Sequence, residues 1–174
     1  LTLPGVAPES RTGGAPPDDE LPLVERTLEA ALVTLNQMRR EEGRAIAAEL
    51  LAHHGALVER LNAIRELIPG VVTDYRHRIL ERARQAVADA GIGINAEAVV
   101  REVALYADRT DVSEEVMRLS SHLEQFAELI RKGDEAGRKL EFVIQEMGRE
   151  TNTVGSKAGD VAISRHVFEM KSTL

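Results

Sequence analysis

In the stretch DVSEEVMRLSSHLEQF, residues 111–126, the side chains Asp111, Glu114, Glu115, Arg118 and His122 recur at three- and four-residue spacings. At roughly 100° per residue they fall on one polar arc of a helix. That arc adjoins an apolar stripe of Val112, Val116, Leu119, Leu123, Phe126 and Ile130. Carboxylates and an imidazole on one edge of a core-facing helix can ligate a cation and move protons, and a guanidinium can neutralise an oxyanion. The same residues also have a purely structural reading. Asp111 and Glu114 suit a helix N-terminus, Glu114 and Arg118 form an i,i+4 ion pair, and His122 suits a packing boundary.

A second stretch, GRKLEFVIQEMGRETNTVGSK over 137–157, carries more chemistry per turn. Leu140, Val143, Ile144, Met147 and Val154 make one apolar side. Two polar rows occupy the rest: Arg138, Glu141, Gln145, Arg149, Asn152 and Ser156, and then Lys139, Glu146, Glu150, Thr153 and Lys157. A merely solvated face uses interchangeable Glu and Lys. Here amides and hydroxyls stand among both signs of charge, groups that hold phosphates, reach bases or sugars, and bind a hard cation. Charged helix faces are nonetheless most often structural, and periodicity alone names no reaction.

The elements that must position these groups are helical throughout. Residues 1–19 are rich in Pro and Gly and read as a linker or lead-in. Asp18 and Asp19 suit a helix cap, with Pro22 in the first turn. Leu28, Leu32, Leu35, Ile46, Leu50, Leu57, Leu61 and Ile64 then sustain a helical spacing as far as Ile68, where Pro69-Gly70 predicts a stop. Gly43 offers a bend within this arm rather than an end. A second helix is expected from Val71 to Asp89, closed by Gly91 and Gly93, and a third from the N-cap Asn95 to about Asp108. Asp111 caps the fourth, with Glu114 at the capping-box position, and Gly133 ends it. The fifth is the 137–157 stretch, and a sixth follows Gly159. With no alternating strand of useful length, the fold class is all-α: an irregular lead-in (1–19), a long helical arm and second helix (20–94), and a helical domain (95–174) that completes a bundle.

Composition narrows the chemistry. Cysteine is absent among the 174 residues, which excludes thiolate metal sites, disulfides and a Cys nucleophile. No apolar run reaches bilayer length, and no signal-peptide pattern is present. A net charge of −7 argues against coating nucleic acid through the overall field, while leaving room for a local cationic site. His53 and His54 point about 100° apart on a helix and cannot readily chelate one ion together. They, like His77, are expected at surface or boundary positions, and His166 receives no role.

The wording ADRTDVSEEVMRLSSHLEQF followed by GRKLEFVIQEMGRETNTVGSKA resembles the carboxy-terminal region of the YicC/YloC family of bacterial endoribonucleases. LPGV and RREEGRAI resemble that family's lead-in and first long helix, so the likeness extends over essentially the whole chain. Glu141 stands where an Asp is usual in that family, and Gly148 where an Asn is common. Family members also carry a further amino-terminal domain, and this chain, which starts at Leu1, reads as a fragment.

The resemblance implies metal-dependent cleavage of single-stranded or hairpin RNA by a cytoplasmic homo-oligomer, a hexamer at full length, with no membrane or DNA partner. Its motifs correspond to Asp111, Glu114, Glu115, Arg118 and His122 on one helix. On the other they correspond to Gly137, Arg138, Gln145, Glu146, Arg149, Glu150, Asn152, Thr153, Ser156 and Lys157. Within these we assign Glu115, His122, Glu146 and Glu150 as the metal-binding and acid/base set. Arg118, Arg138, Lys139, Gln145, Arg149, Asn152 and Lys157 are assigned to RNA. Mn2+ or Mg2+ suits carboxylate and imidazole donors better than a soft metal. The chain alone is expected to cleave RNA poorly or not at all and to bind it weakly in a salt-sensitive manner. Two other classes fit the same sequence: an RNA-binding adaptor without catalysis, and a helical oligomerisation scaffold.

Overall fold

The computed structural model describes residues 21–90, 95–133 and 136–174, and these form five α-helices with no strand. They are α1 (Leu21–Ala90), α2 (Ala96–Thr110), α3 (Ser113–Lys132), α4 (Gly137–Lys157) and α5 (Val161–Thr173). The all-α expectation therefore holds. The lead-in over 1–19, the caps Asp18 and Asp19, and Gly91 and Gly93 lie outside the described residues.

One boundary is corrected. The stop expected at Pro69-Gly70 does not occur, because α1 runs through both residues and the two expected helices are one. Proline lacks an N–H and its ring crowds the carbonyl four residues back, at a cost of about 3 kcal/mol in a helix interior. Leu57, Leu61 and Ile64 before it and Val71 after it are all buried in one core. Burying a side chain of this size is worth about 1.5–3 kcal/mol. Packing on both flanks thus outweighs the local break. α1 also passes Gly43 and Gly55 without a turn.

The chain divides into two units, one ending at Ile46 and the other spanning Ala47–Leu174. Helical residues of the first, from Leu21 onward, are all exposed. Leu21, Val24, Leu28, Leu32, Leu35 and Met38 recur there at three- and four-residue steps.

In the second unit, α3, α4 and α5 supply most of the core around the α1 residues. α3 buries Val116, Leu119, Leu123 and Phe126, α4 buries Val143, Met147 and Val154, and α5 buries Ile163, Val167 and Met170. The ring of Phe126 stacks on half-buried His54, with centroids 6.4 Å apart. α2 buries no residue, but its Tyr106 stacks on Tyr75 of α1 with centroids 3.5 Å apart.

Local signals set the ends. Asn95 Oδ1 accepts from the Glu97 and Ala98 amides at 3.0 and 3.3 Å, capping α2. Asp111 accepts from the Ser113 amide at 2.9 Å, but the N-cap of α3 is Val112, without a side-chain cap bond. The capping box expected at Glu114 is not formed, because that carboxylate pairs with Arg118 instead. Gly133 closes α3 in the left-handed region at φ 71°, donating its amide to the Leu129 carbonyl. Asp160 caps α5 through the Ala162 and Ile163 amides. Gly155 allows α4 and α5 to approach, since a Cβ there would lie 2.8 Å from Val167 Cγ1.

Candidate active site

The α3–α4 pair is antiparallel, so the polar edge of α3 meets the second polar row of α4 rung by rung. At one end Lys157 Nζ donates to Glu115 Oε1 at 2.6 Å. Next, Arg118 bridges Glu114, one turn back, and Glu150, whose Oε1 lies 3.7 Å from Nη1. Then a ring nitrogen of His122 and one carboxylate oxygen from each of Glu146 and Glu150 gather within 4.8 Å of one another. Arg149 flanks this trio, with Nη1 3.2 Å from Glu146 Oε1.

Why the helices present these groups inward follows from their apolar neighbours. Glu150 is three residues after Met147 and four before Val154, both buried, so its stem is carried into the core edge. Glu115 immediately precedes buried Val116 and is itself buried. Thr151 is fully buried and donates its hydroxyl to the Met147 carbonyl at 2.7 Å, so it makes no demand on the site. Thr153 and Ser156 likewise return their hydroxyls to the backbone carbonyls of Arg149 and Thr153.

Charges along the seam are tuned at its Glu115 end. Burial pushes the Glu115 carboxyl up, but the hydrogen bond from Lys157, its own backbone amide and the charges of Lys157 and Arg118 together hold it below the usual range. The hydrogen bond to Glu115 raises the Lys157 ammonium above its ordinary value, partial desolvation opposes this, and the nearby Asp111 and Glu114 charges reinforce it. Asp111 is lowered chiefly by its hydrogen bonds to Ser113.

Of the four residues assigned to metal and proton transfer, the structure gathers His122, Glu146 and Glu150. Glu115 stands apart from the trio, in its pair with Lys157. Among the RNA-assigned residues, Arg118 and Arg149 touch the trio's carboxylates and Lys157 touches Glu115. Arg138 and Lys139 line a groove of about 420 Å³ farther along the α3–α4 pair, with Gln125, Leu129, Lys132 and Phe142. Gln145 and Asn152 are exposed on α4. Phe142, exposed on the groove wall, was not singled out from the sequence. The available signal was an aromatic four residues before Glu146, interrupting a charged row in a chain with only five Phe and Tyr residues in all (three and two).

The donor set suits a hard divalent cation: two carboxylates and an imidazole, drawn from two helices. One orphaned atom supports that fit: His122 Nδ1 is buried without a hydrogen-bond partner among the described residues. Glu115 Oε2 is likewise buried and unpartnered, but it stands apart from the trio. Glu150 is buried, and among the described residues its one ion pair is the long one to Arg118.

Residues 64–174, which include all of α3 and α4, match the family described as endoribonuclease YicC-like, C-terminal. The chain belongs to that family. It is 39% identical over 152 residues to a probable endoribonuclease YicC of Clostridioides difficile, covering 87% of this chain and 52% of that protein. It is 32% identical over 134 residues to a probable endoribonuclease YicC of Haemophilus influenzae, covering 77% and 45% respectively. The chain thus spans about half the length of the curated YicC relatives it matches. No helix of the described residues is long and apolar enough to cross a membrane.

Proposed function

We propose that this chain carries the active-site half of a metal-dependent endoribonuclease that hydrolyses phosphodiester bonds in single-stranded or hairpin RNA. The observation that carries this reading is the convergence of His122, Glu146 and Glu150 within 4.8 Å, inside the region matching the YicC-like family. These three residues would hold Mn2+ or Mg2+, which when bound supplies Lewis-acid stabilisation of phosphoryl charge. His122 contributes an imidazole nitrogen, a group suited to ligating the ion or to passing a proton. Arg118 and Arg149, already beside the carboxylates, are suited to neutralise a phosphate brought to the trio. Lys157 holds Glu115 ionised at the far end of the seam, where the pair positions α4 against α3. Arg138, Lys139, Gln145 and Asn152 extend RNA contacts along α4 by charge and amide hydrogen bonding.

The partner implied is RNA, within a cytoplasmic homo-oligomer that is hexameric at full length. Oligomerisation is supported by the exposed apolar seam of the first unit, whose three- and four-residue steps suit helix pairing. The same seam favours a second reading, in which the chain serves as a helical scaffold without catalysis.

A series of divalent metals with the purified full-length protein and labelled RNA tests the proposal. Cleavage that copurifies with the protein, requires Mn2+ or Mg2+ and disappears in Glu146→Ala is the expected result. RNA bound but uncut under every metal would replace the enzyme by an adaptor, and neither binding nor cutting would leave the scaffold.

A further inference from the structure

The groove beside the trio has features that phosphate chemistry alone does not require. Phe142 stands 61% exposed on its α4 wall, although an aromatic ring on a helix surface sacrifices burial. Leu129 and Val143 form an apolar floor, and Lys132, Arg138 and Lys139 are the cations around it. The carboxylate of Glu128 is engaged by Lys132 at 3.3 Å. Among the described residues Gln125, on the α3 wall, spends its amide N–H only on a 3.3 Å contact with Ser121, which a ligand could replace.

Position matters as much as composition. Phe142 lies four residues before Glu146 on the same face of α4, a rise of about 6 Å. Gln125 lies three residues after His122 on α3. The groove therefore continues the trio by about one helical turn on both helices. An exposed ring framed by cations, with an amide opposite, matches how single-stranded nucleic acid is held: base on aromatic, phosphates on cations, base edge on an amide.

We infer that the Phe142 groove is a nucleobase-stacking subsite for single-stranded RNA, seating the base of a nucleotide next to the phosphate at the His122–Glu146–Glu150 trio. The inference rests on the ribonuclease reading for its choice of ligand. Phe142 stacks the base, Gln125 meets its edge, and Arg138 and Lys139 hold the adjoining backbone. A second copy of the chain, the other occupant an apolar wall could attract, matches the cationic rim less well than a polyanion does.

The chain contains no tryptophan, so Phe142→Trp introduces a single fluorescent reporter at the site. Binding is read in EDTA, where cleavage is suppressed, with a single-stranded oligoribonucleotide and an abasic ribose-phosphate strand of equal length. The expected result is quenching of the introduced indole by the base-bearing strand only. Phe142→Ala should weaken binding of that strand roughly tenfold without weakening the abasic one, and Phe142→Tyr should restore it. Arg138→Ala should weaken both strands alike and reduce the salt dependence by about one unit of slope. The subsite is overturned by equal quenching from both strands, by none, or by Phe142→Ala binding as the parent does. It is equally overturned if the indole emission of Phe142→Trp shifts with protein concentration alone, which would mean that a second copy covers the groove. Cleavage by the full-length protein, scored separately with divalent metal, keeps the two readings apart. Cutting without quenching removes only the subsite, and quenching without cutting removes only the nuclease.

Discussion

Glu115 and Glu150 are buried to nearly the same degree, 6% and 5% exposed, on facing helices of one seam. Glu115 meets Lys157 at 2.6 Å, and its carboxyl is held ionised. Glu150 has a guanidinium no nearer than 3.7 Å and shares its surroundings with a second carboxylate and an imidazole. Removing a carboxylate from water costs several kcal/mol unless it is paired. The first end of the seam offsets that cost at one oxygen through Lys157, although Glu115 Oε2 stays buried without a hydrogen-bond partner among the described residues. The second leaves much of it open, which is the arrangement expected where a cation from solution completes the pairing.

The sharpest way to break this comparison is to bury a carboxylate where neither solution exists. Met147→Asp puts one in the core beside Val143 and Val154, and the expected outcome is loss of the folded state, read as loss of a cooperative melting transition. Next in size is the open end itself. Glu150→Gln or Glu146→Ala should lower cleavage by about 10²-fold or more in a metal-supplemented assay. Metal should also raise the melting temperature of the parent and not of Glu150→Gln. At one hundred times its dissociation constant, a bound ion adds about 2.7 kcal/mol. Glu146→Ala should melt close to the parent, since a partly exposed Glu contributes little to stability. Unchanged cleavage with unchanged melting would return the trio to the class of solvated charges.

The closed end should respond to pH instead. Glu115 has a lowered folded pKa, so its stabilisation is present above the ordinary carboxylate range near 4.3 and fades as pH falls through that lower value. Lys157 has a raised pKa, so its share is complete below about 10.4 and fades only as pH rises through the higher value. Lys157→Met should therefore lower the melting temperature by several degrees at neutral pH, and the gap to the parent should narrow towards pH 3. A gap independent of pH would mean that Lys157 acts by packing alone. The smallest effect is expected at Gly148, between the two trio glutamates. A Cβ there meets nothing within 4 Å, so Gly148→Ala should stabilise α4 by about 1 kcal/mol and leave cleavage unchanged.

Much of the fold was readable. Asn95 and Gly133 announce helix ends because a side-chain amide and a left-handed glycine act locally. Pro69 misled because its effect is local while the burial of Ile64 and Val71 that overrides it is tertiary. At the site, spacing placed His122 on a usable edge, and resemblance nominated Glu146 and Glu150. Spacing alone filed Glu150 in a polar row, although its offsets of three from Met147 and four from Val154 mark a position drawn into the core. The separation of Glu115 from the trio depends on how Lys157 reaches across from the end of α4, and no pattern within one helix encodes that.

Pro69 has one more consequence for α1. With no amide proton at this position, the Arg65 carbonyl loses its usual donor within the helix, and the hydrogen-bond ladder has a missing rung. Opening of a helix from its end proceeds rung by rung, so fraying that starts at the Ala90 end meets a natural terminus here. Amide-exchange protection should therefore change in a step near Gly70, with Leu61 and Ile64 staying protected while the segment beyond exchanges as a separate cooperative unit.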